Sequence, residues 1–451
     1  MQKILPLAVA VFMVTGSTLS GATLTVSPGQ SIQAKINEAQ PGDIIAIFSG
    51  LYTESLTINK AVRLVEVSGQ EVILHGNITF DGVTDAPPFE NFTHGAPGTK
   101  ITIHNTTGLL LRNIDARTGD GINSTGTSNP RLVNCQSSQI TGGAAGMELV
   151  QCSTTGRLKQ TSGSMNILRC TVGEHVETLT TAQTTVIFRT TATDVLLRAK
   201  KTWVGYSDAR HIGYYDQVQG KVVVVGCIID RRNEEADGLY FSGTSNDVTV
   251  ANTIVKNVRW YSNHFAVWGG ENENALWGGG SANTYLIANN YFHLAYGGNG
   301  NANGAGVRLH SYAKAEVLNN IIEGASSGIV APFGVVAQNN LYFNVHNGGA
   351  DRDGVSSTGK IIGNPLFVTG QAPTLATNSP CLNAGVANPI YNNRDGTRNT
   401  IGPSGGSLYD PNARTTENPV IIAFDLGPQY VVHGQPSLNV TLSNGKAVSQ
   451  P

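Results

Sequence analysis

Aromatic and polar side chains concentrate in one irregular, glycine-rich segment between Arg259 and Asn283. The flat faces of sugar rings stack on Trp and Tyr, while sugar hydroxyls seek polar partners. Because so many aromatic rings are hard to bury in a polar loop, the segment is predicted to bind carbohydrate. The alternative is that the rings only cover the side of the fold. The predicted binding residues are Trp260, Tyr261, His264, Trp268 and Trp277.

A cationic cluster follows in the next apolar run, where Arg308, His310 and Lys314 lie within seven residues. Side chains alternate along a strand, so Arg308 and His310 are predicted to share one face. Elimination on a polyuronate needs a neutralised carboxylate and a base for the neighbouring proton, and this cluster is the candidate catalytic group. The alternative is that these residues are ordinary exposed side chains.

The densest charge run of the chain lies between Asp230 and Asp237. Two of its carboxylates would serve as the acid and base of glycoside hydrolysis if they stood at the right separation. A solvated loop is the simpler interpretation of such a run. Its members are Asp230, Arg231, Arg232, Glu234, Glu235 and Asp237.

These candidates must be positioned by a repeated phrase in which two asparagines interrupt an apolar run. It reads IANNYF at 287–292, VLNNII at 317–322 and AQNNLY at 337–342, and degenerate copies lie around positions 113, 134, 151, 169, 226 and 252. Such recurrence is typical of a solenoid in which each copy forms a strand and its turn, and successive coils stack. The rungs between 171 and 221 cannot be placed from the sequence.

Stacking brings the second residue of each phrase into one column. Buried amides in such a column are satisfied if each bonds the next, so the asparagine pairs are predicted to be structural. The cysteines are interpreted as small core residues, and one disulfide among them is the alternative. A zinc site is not favoured, because no two cysteines form a C-x-x-C pair. The column contains Ile114, Cys135, Cys152, Cys170, Cys227, Thr253, Asn290, Asn320 and Asn340.

Length and composition agree with a solenoid. A chain of 451 residues exceeds the usual size of one globular core, but a solenoid grows in one dimension. Charged residues are 13% of the chain, and 53 glycines indicate many turns. The net charge of −2 does not favour binding to nucleic acid. We expect a monomer.

Residues 1–22 are predicted to be a secretory signal with cleavage after Ala22, because Lys3 precedes an apolar run from Ile4 to Val14 and small residues follow. The alternative, an anchor helix, is disfavoured because this run is too short to span a bilayer. Ser31 to Ala39 then shows helical spacing before Pro41-Gly42, and short alternating strands follow. We expect this helix to cap the first coil. The proline-rich stretch from Asp81 to Lys100 is interpreted as an excursion out of the coil.

This opening and the asparagine ladder closely resemble right-handed parallel β-helix proteins of the pectate lyase-like superfamily, over roughly residues 23–365. The resemblance implies an all-β fold. It also implies that Arg308 is the base of a lyase and that Glu271 and Glu273 bind calcium. The family's Asp-His pair would fall at 262–264, where this chain has no Asp. The family's second arginine after the base is also absent, and His310 lies near that place.

Residues 362–412 look like the closing segment of secreted β-helices, and 413–451 are predicted to be a strand-rich extension. The sequence therefore predicts a secreted β-helix over 23–412 that acts on acidic polysaccharide, first as a lyase with Ca²⁺. A non-catalytic glycan-binding or adhesion module and a glycoside hydrolase remain the alternatives.

Overall fold

The computed structural model describes residues 21–214, 220–232, 237–242, 247–260, 274–279, 283–296, 304–309, 313–346, 351–368, 373–416, 420–424 and 445–448. In this part of the chain the backbone winds into a parallel β-helix of about 14 turns, as predicted. The coil is right-handed, which is the hand of nearly all parallel crossovers. The stacked strands form three parallel sheets around one apolar core.

From Ile78 onward each coil passes through the sheets in the order 1, 2, 3. Sheet 1 contains Leu56–Ile58, Ile78–Asp81, Ile101–His104, Ile122–Gly126, Ile140–Ala144, Leu158–Gln160, His175–Thr178, Asp194–Leu196, His211–Tyr214, Leu239–Phe241, Leu276–Gly278, Ala305–Leu309 and the first parts of Ser327–Gln338 and Asp351–Thr358. Sheet 2 contains Phe89–Glu90, Leu110–Arg112, Arg131–Val133, Gly146–Val150, Gly163–Leu168, Ala182–Phe188, Lys201–Gly205, Lys221–Val225, Asp247–Ala251, Thr284–Ala288, Lys314–Leu318 and the second parts of the same two long strands.

Sheet 3 completes each coil, and two isolated bridges at Thr191, to Thr171 and to Asp208, join its two halves. Its strands are Thr23–Val26, Ile44–Tyr52, Arg63–Leu74, Thr93–His94, Asp115–Ala116, Gln136–Ser137, Ser153–Thr154, Thr171–Val172, Asp208–Ala209, Ile228–Asp230, Ile254–Trp260, Tyr291–Tyr296, Ile321–Glu323, Leu341–Phe343 and Ile361–Ile362.

The predicted helix caps the first coil as the segment Ile32–Glu38. Ser31 is its N-cap, and the hydroxyl accepts a hydrogen bond from the Ala34 backbone N–H at 3.0 Å. Ile32 and Ile36 are buried on the first coil. The helix therefore covers the apolar interior that the open end of a solenoid would otherwise expose.

The repeated phrase is the turn from sheet 2 to sheet 3. Its first residue has positive φ in every predicted copy, which suits Asn and Gly better than most residues. Arg189 and Tyr206 occupy the same position with φ of 49° and 50°, and they supply the rungs that the sequence did not reveal. The repeat was hidden there because neither residue is typical of a left-handed turn.

The second residue of each phrase points into the core. Asn320 Oδ1 accepts hydrogen bonds from the backbone N–H and the side-chain Nδ2 of Asn290, both at 2.9 Å. Its own Nδ2 donates to Asn340 Oδ1 at 3.0 Å and to a backbone carbonyl at 2.9 Å. The predicted asparagine ladder is confirmed. The cysteines of the column are buried free thiols, so the core interpretation is also confirmed.

The interpretation of residues 81–100 as an excursion is wrong, because they form a coil of their own. Phe89–Glu90 pairs with the sheet 2 strand of the next coil, and Thr93–His94 pairs in sheet 3 on both sides. Phe89 and Phe92 stack with ring centroids 4.3 Å apart in the core. The prolines lie outside these short strands, where a missing backbone donor costs the sheet no ladder hydrogen bond.

The closing segment runs back along the outside of the coils. We call residues 381–416 the strap, because they lie along the ridge formed by the first residues of the phrases. Asn339 Nδ2 donates to Ala384 O at 2.8 Å, Asn289 Nδ2 to Thr400 O at 2.7 Å, and Asn252 Nδ2 to Gly405 O at 2.6 Å. Arg189 reaches Ala413 O at 2.6 Å. Asn252, Asn289, Asn339 and Arg189 therefore turn the chain and also hold the strap.

The strap contacts give a matched pair of substitutions. We expect Asn289→Gly to loosen the strap and lower the free energy of unfolding by about 1–3 kcal/mol, because strap carbonyls lose their donor. Glycine keeps the positive φ, so the turn itself is preserved. The control is Asn113→Gly, since Asn113 occupies the same turn position but bonds Asn91 and Asn134. Urea denaturation compares the two, and equal losses would contradict a holding role for Asn289.

Two buried histidines predict a loss of stability in acid. Burial lowers the pKa of His94, and burial with the charge of Arg231 lowers the pKa of His211 to about 3. The unfolded chain therefore binds more protons than the folded chain below the ordinary pKa of ~6.5, so stability falls as pH drops through that window. We expect the melting temperature to fall from pH 7 to pH 4.

One buried histidine changes the free energy of unfolding by at most about 1.4 kcal/mol per pH unit. His211→Gln is expected to flatten the pH dependence of the melting temperature. His104→Gln is the control, because His104 is exposed and contacts Asp81 on the surface. A slope that His211→Gln leaves unchanged would assign the acid sensitivity to other groups.

Two further features concern the chain ends. Residues 1–20, which hold most of the predicted signal, lie outside the described residues. At the other end Val420–Phe424 forms a strand, as predicted, and pairs antiparallel with Gly445–Val448. The rest of the extension, at 417–419, 425–444 and 449–451, lies outside the described residues. Within the described residues, no helix has the length and apolar character to cross a membrane.

Candidate functional site

The outer face of sheet 1 carries a column of aromatic and cationic positions. Tyr240 pairs with Trp277, and Trp277 pairs with Arg308 in the next coil. Leu276 and Gly278 are buried on either side of position 277, which places that position on the outer face. The aromatic segment and the arginine strand that the sequence singled out therefore meet on adjacent coils of one sheet.

Arg308 is half-buried in the strand Ala305–Leu309. Its Nε donates a hydrogen bond to Asn274 Oδ1 at 3.2 Å, and the backbone N–H of Ala305 donates to the same oxygen at 3.1 Å. The amide oxygen thus fixes the guanidinium relative to its own strand. Because Arg is always protonated at ordinary pH, the site presents an oriented positive charge to the outer face.

Asn274 is fully buried and is itself held by Asp237. The Asp237 Oδ1 atom accepts hydrogen bonds from the Asn274 backbone N–H at 2.6 Å and from its Nδ2 at 3.2 Å. A carboxylate that accepts from the amide group polarises it and makes its oxygen a better acceptor for the guanidinium. The chain from Asp237 through Asn274 to Arg308 therefore favours the charged form of the arginine.

The other predicted site residues have different placements. Lys314 opens the sheet 2 strand Lys314–Leu318, where it is exposed and in register with Thr284, so it lies on the sheet next to that of Arg308. Trp260 ends a sheet 3 strand, and only its backbone position is described. The remaining candidates lie outside the described residues: Tyr261, His264, Trp268, Glu271, Glu273 and His310.

Calcium stays a prediction. Its proposed ligands lie outside the described residues, and within them no three or more His, Cys, Asp or Glu side chains converge on one point. Asp237 and Asn274 supply oxygens of the kind that Ca²⁺ prefers, but Asn274 Oδ1 already accepts two hydrogen bonds from the chain. The described residues alone do not form a complete calcium site.

The charge run from Asp230 to Asp237 is more than a solvated loop. Burial raises the pKa of Asp230, but hydrogen bonds from Asn257 and the Arg232 backbone, with the charge of Lys256, lower it below its ordinary value. Arg231 is buried and donates to the carbonyl of Arg210 at 3.3 Å. These contacts are structural. Glu234 and Glu235 lie outside the described residues, so the carboxylate pair of the hydrolase alternative stays a prediction.

No protein family model and no curated protein matches the chain. Solved structures do match it. It resembles the receptor-binding domain of a Siphovirus 9NA tailspike, with a TM-score of 0.39 and 10% identity over 79% of this chain and 78% of that chain. For pectate lyase Pel9A the TM-score is 0.29 and the identity 13%, over 85% of this chain and 96% of that chain. For the A-module of the Azotobacter vinelandii mannuronan C-5 epimerase AlgE6 the TM-score is 0.24 and the identity 13%, over 74% of this chain and 94% of that chain. Such low similarity transfers no activity to this chain.

Proposed function

We propose that this protein is a secreted carbohydrate-active β-helix that binds a uronate-containing polysaccharide along the outer face of sheet 1. The observation that carries the proposal is the oriented guanidinium of Arg308, in register with Trp277 and Tyr240. Acidic sugars need both features, because the ring stacks on an aromatic face while the carboxylate pairs with a fixed cation.

The spacing of the sheet fits a polymer. Neighbouring strands lie about 4.8 Å apart, which is close to the length that one pyranose ring adds to an extended chain. A polysaccharide that runs along the stack can therefore place one ring over each coil. The column from Tyr240 to Arg308 would then contact successive rings of the same chain.

The chemistry that we propose is β-elimination. A base removes the C5 proton, the electron pair of that bond forms the double bond between C4 and C5, and the C4–O4 bond breaks. The glycosidic oxygen leaves with the electron pair of that bond and takes a proton from water. Pairing of the substrate carboxylate with a cation makes the C5 proton more acidic. Because Asn274 and Asp237 favour charged Arg308, we propose that Arg308 neutralises the carboxylate and that His310 is the candidate base.

A non-catalytic glycan-binding module is the second candidate, and one observation favours it. A guanidinium that donates to an amide, which is itself held by a carboxylate, is well suited to binding and poorly suited to accepting a proton. In that case the same face would bind the same polymers without cleaving them.

Incubation with polygalacturonate, alginate and glycosaminoglycans, with and without Ca²⁺, tests the proposal. We expect the ultraviolet absorbance of an unsaturated uronate to rise with at least one of these polymers, and chelation to abolish that rise if calcium takes part. Cleavage without absorbance would indicate a hydrolase. Binding without cleavage would support the glycan-binding module, and absence of binding to all of them would refute the proposed function.

A further inference from the structure

A second arginine repeats the position of Arg308 on sheet 1. Arg308 pairs with Val330, and Val330 pairs with Arg352 in the following coil. The three residues therefore occupy one register column in which Arg308 is half-buried, Val330 buried and Arg352 exposed, with the two arginines two coils apart. Strand spacing puts their backbones roughly 9.5 Å apart.

Both guanidinium groups also bond a side chain of the preceding coil. Each arginine has a register partner in the preceding coil. The residue three positions before that partner supplies the side-chain oxygen that the arginine bonds. Arg308, which pairs with Trp277, bonds Asn274, and Arg352, which pairs with Val330, donates from Nη1 to Ser327 Oγ at 3.4 Å. Both side chains thus reach toward the preceding coil, Arg308 through Nε and Arg352 through Nη1.

We propose that Arg308 and Arg352 form paired subsites that bind carboxylates on every second ring of an acidic polysaccharide. This inference rests on the proposed function of sheet 1. If one ring lies over each coil, the two arginines face rings that are separated by one ring, which lies over Val330. Val330 is apolar and buried, so it offers no partner to a carboxylate on that middle ring.

The paired subsites narrow the class of ligand. In an extended 1,4-linked chain adjacent rings turn opposite faces to the protein, so carboxylates on alternate rings point to the same side. A polymer with one carboxylate per disaccharide satisfies both arginines, and so does a homopolymer of uronates. A neutral polymer, or an oligosaccharide of two rings, cannot engage both positions.

A structural role for Arg352 leads to a different expectation. Its strand, Asp351–Thr358, is the last of sheet 1 among the residues that the structure describes, and charged side chains discourage further pairing at a sheet edge. An edge charge of that kind would contribute equally to short and long ligands, or to none.

Calorimetric titration of the full protein with two-ring and four-ring oligosaccharides from heparosan and polygalacturonate separates these roles. We expect Arg352→Gln to weaken binding of the four-ring ligands about tenfold and to leave the two-ring ligands unchanged. Arg352→Lys should restore part of the loss, because it keeps the charge without the planar donor geometry. Arg112→Gln, which removes an exposed arginine of sheet 2, is the control, and melting temperatures verify folding.

Four-ring affinity that Arg352→Gln leaves unchanged, with a loss in Arg308→Gln, would overturn the paired subsites and keep the proposed function. Equal losses for both ligand lengths would also overturn them. If Arg308→Gln and Arg352→Gln both bind as the parent protein does, the proposed function of sheet 1 fails together with the inference.

Discussion

Arg308→Gln is expected to reduce affinity for acidic polysaccharide by about ten- to a hundredfold, which corresponds to loss of one charge-assisted hydrogen-bonded pair. Glutamine can still reach Asn274, so the local packing is largely preserved while the positive charge is removed. If the protein is a lyase, the rate of unsaturated product formation should fall at least as far, since the same cation would stabilise the transition state.

Three further variants make this result specific. Arg308→Lys should retain part of the affinity, because it keeps the charge but loses the fixed planar geometry. Asn274→Ala should weaken binding less than Arg308→Gln does, because it frees the orientation of a guanidinium that is still present. Arg112→Gln should bind as the parent protein does. Affinity that follows net charge alone, with equal losses in Arg112→Gln and Arg308→Gln, would contradict a site at Arg308.

Asn320→Leu is expected to cost the fold on the order of 1–3 kcal/mol. Asn320 is the middle member of the ladder, and its loss leaves the Asn290 donors and the Asn340 oxygen with one partner fewer in a buried column. Urea denaturation measures the change, and Asn123→Leu is the control. Asn123→Leu is the same chemical change at a half-buried outward position of sheet 1. An unchanged unfolding midpoint in Asn320→Leu would mean that the ladder does not stabilise the coils.

The fold was predictable because one local requirement recurs in every coil. A turn with positive φ followed by a buried small or amide residue produces the phrase seen at Asn289-Asn290 and Asn319-Asn320. The phrase was missed at Arg189 and Tyr206, where contacts with the strap and neighbouring coils replace the usual turn chemistry. The path of the strap was not predictable, because its contacts are made by backbone carbonyls, which no residue pattern reveals.

The site was predictable only in part. Arg308 could be singled out because a cation beside the repeat is conspicuous in a chain with few charges. Asn274 and Arg352 could not, since their roles depend on which residues face each other across coils. Insertions of different length separate those coils, so the spacing between Trp277, Arg308 and Arg352 in the sequence does not give the register. Only the strand pairing places them in one column.

Hydrogen–deuterium exchange with and without a bound acidic oligosaccharide tests the central claim most directly. The site on sheet 1 predicts slower exchange in Leu276–Gly278, Ala305–Leu309 and the first part of Ser327–Gln338, with little change in sheet 2. The grooves beside the strap offer the contrasting location, since one of about 380 Å³ lies between sheet 2 and the residues Tyr391 and Leu408. Protection confined to that groove, with sheet 1 unchanged, would contradict the account.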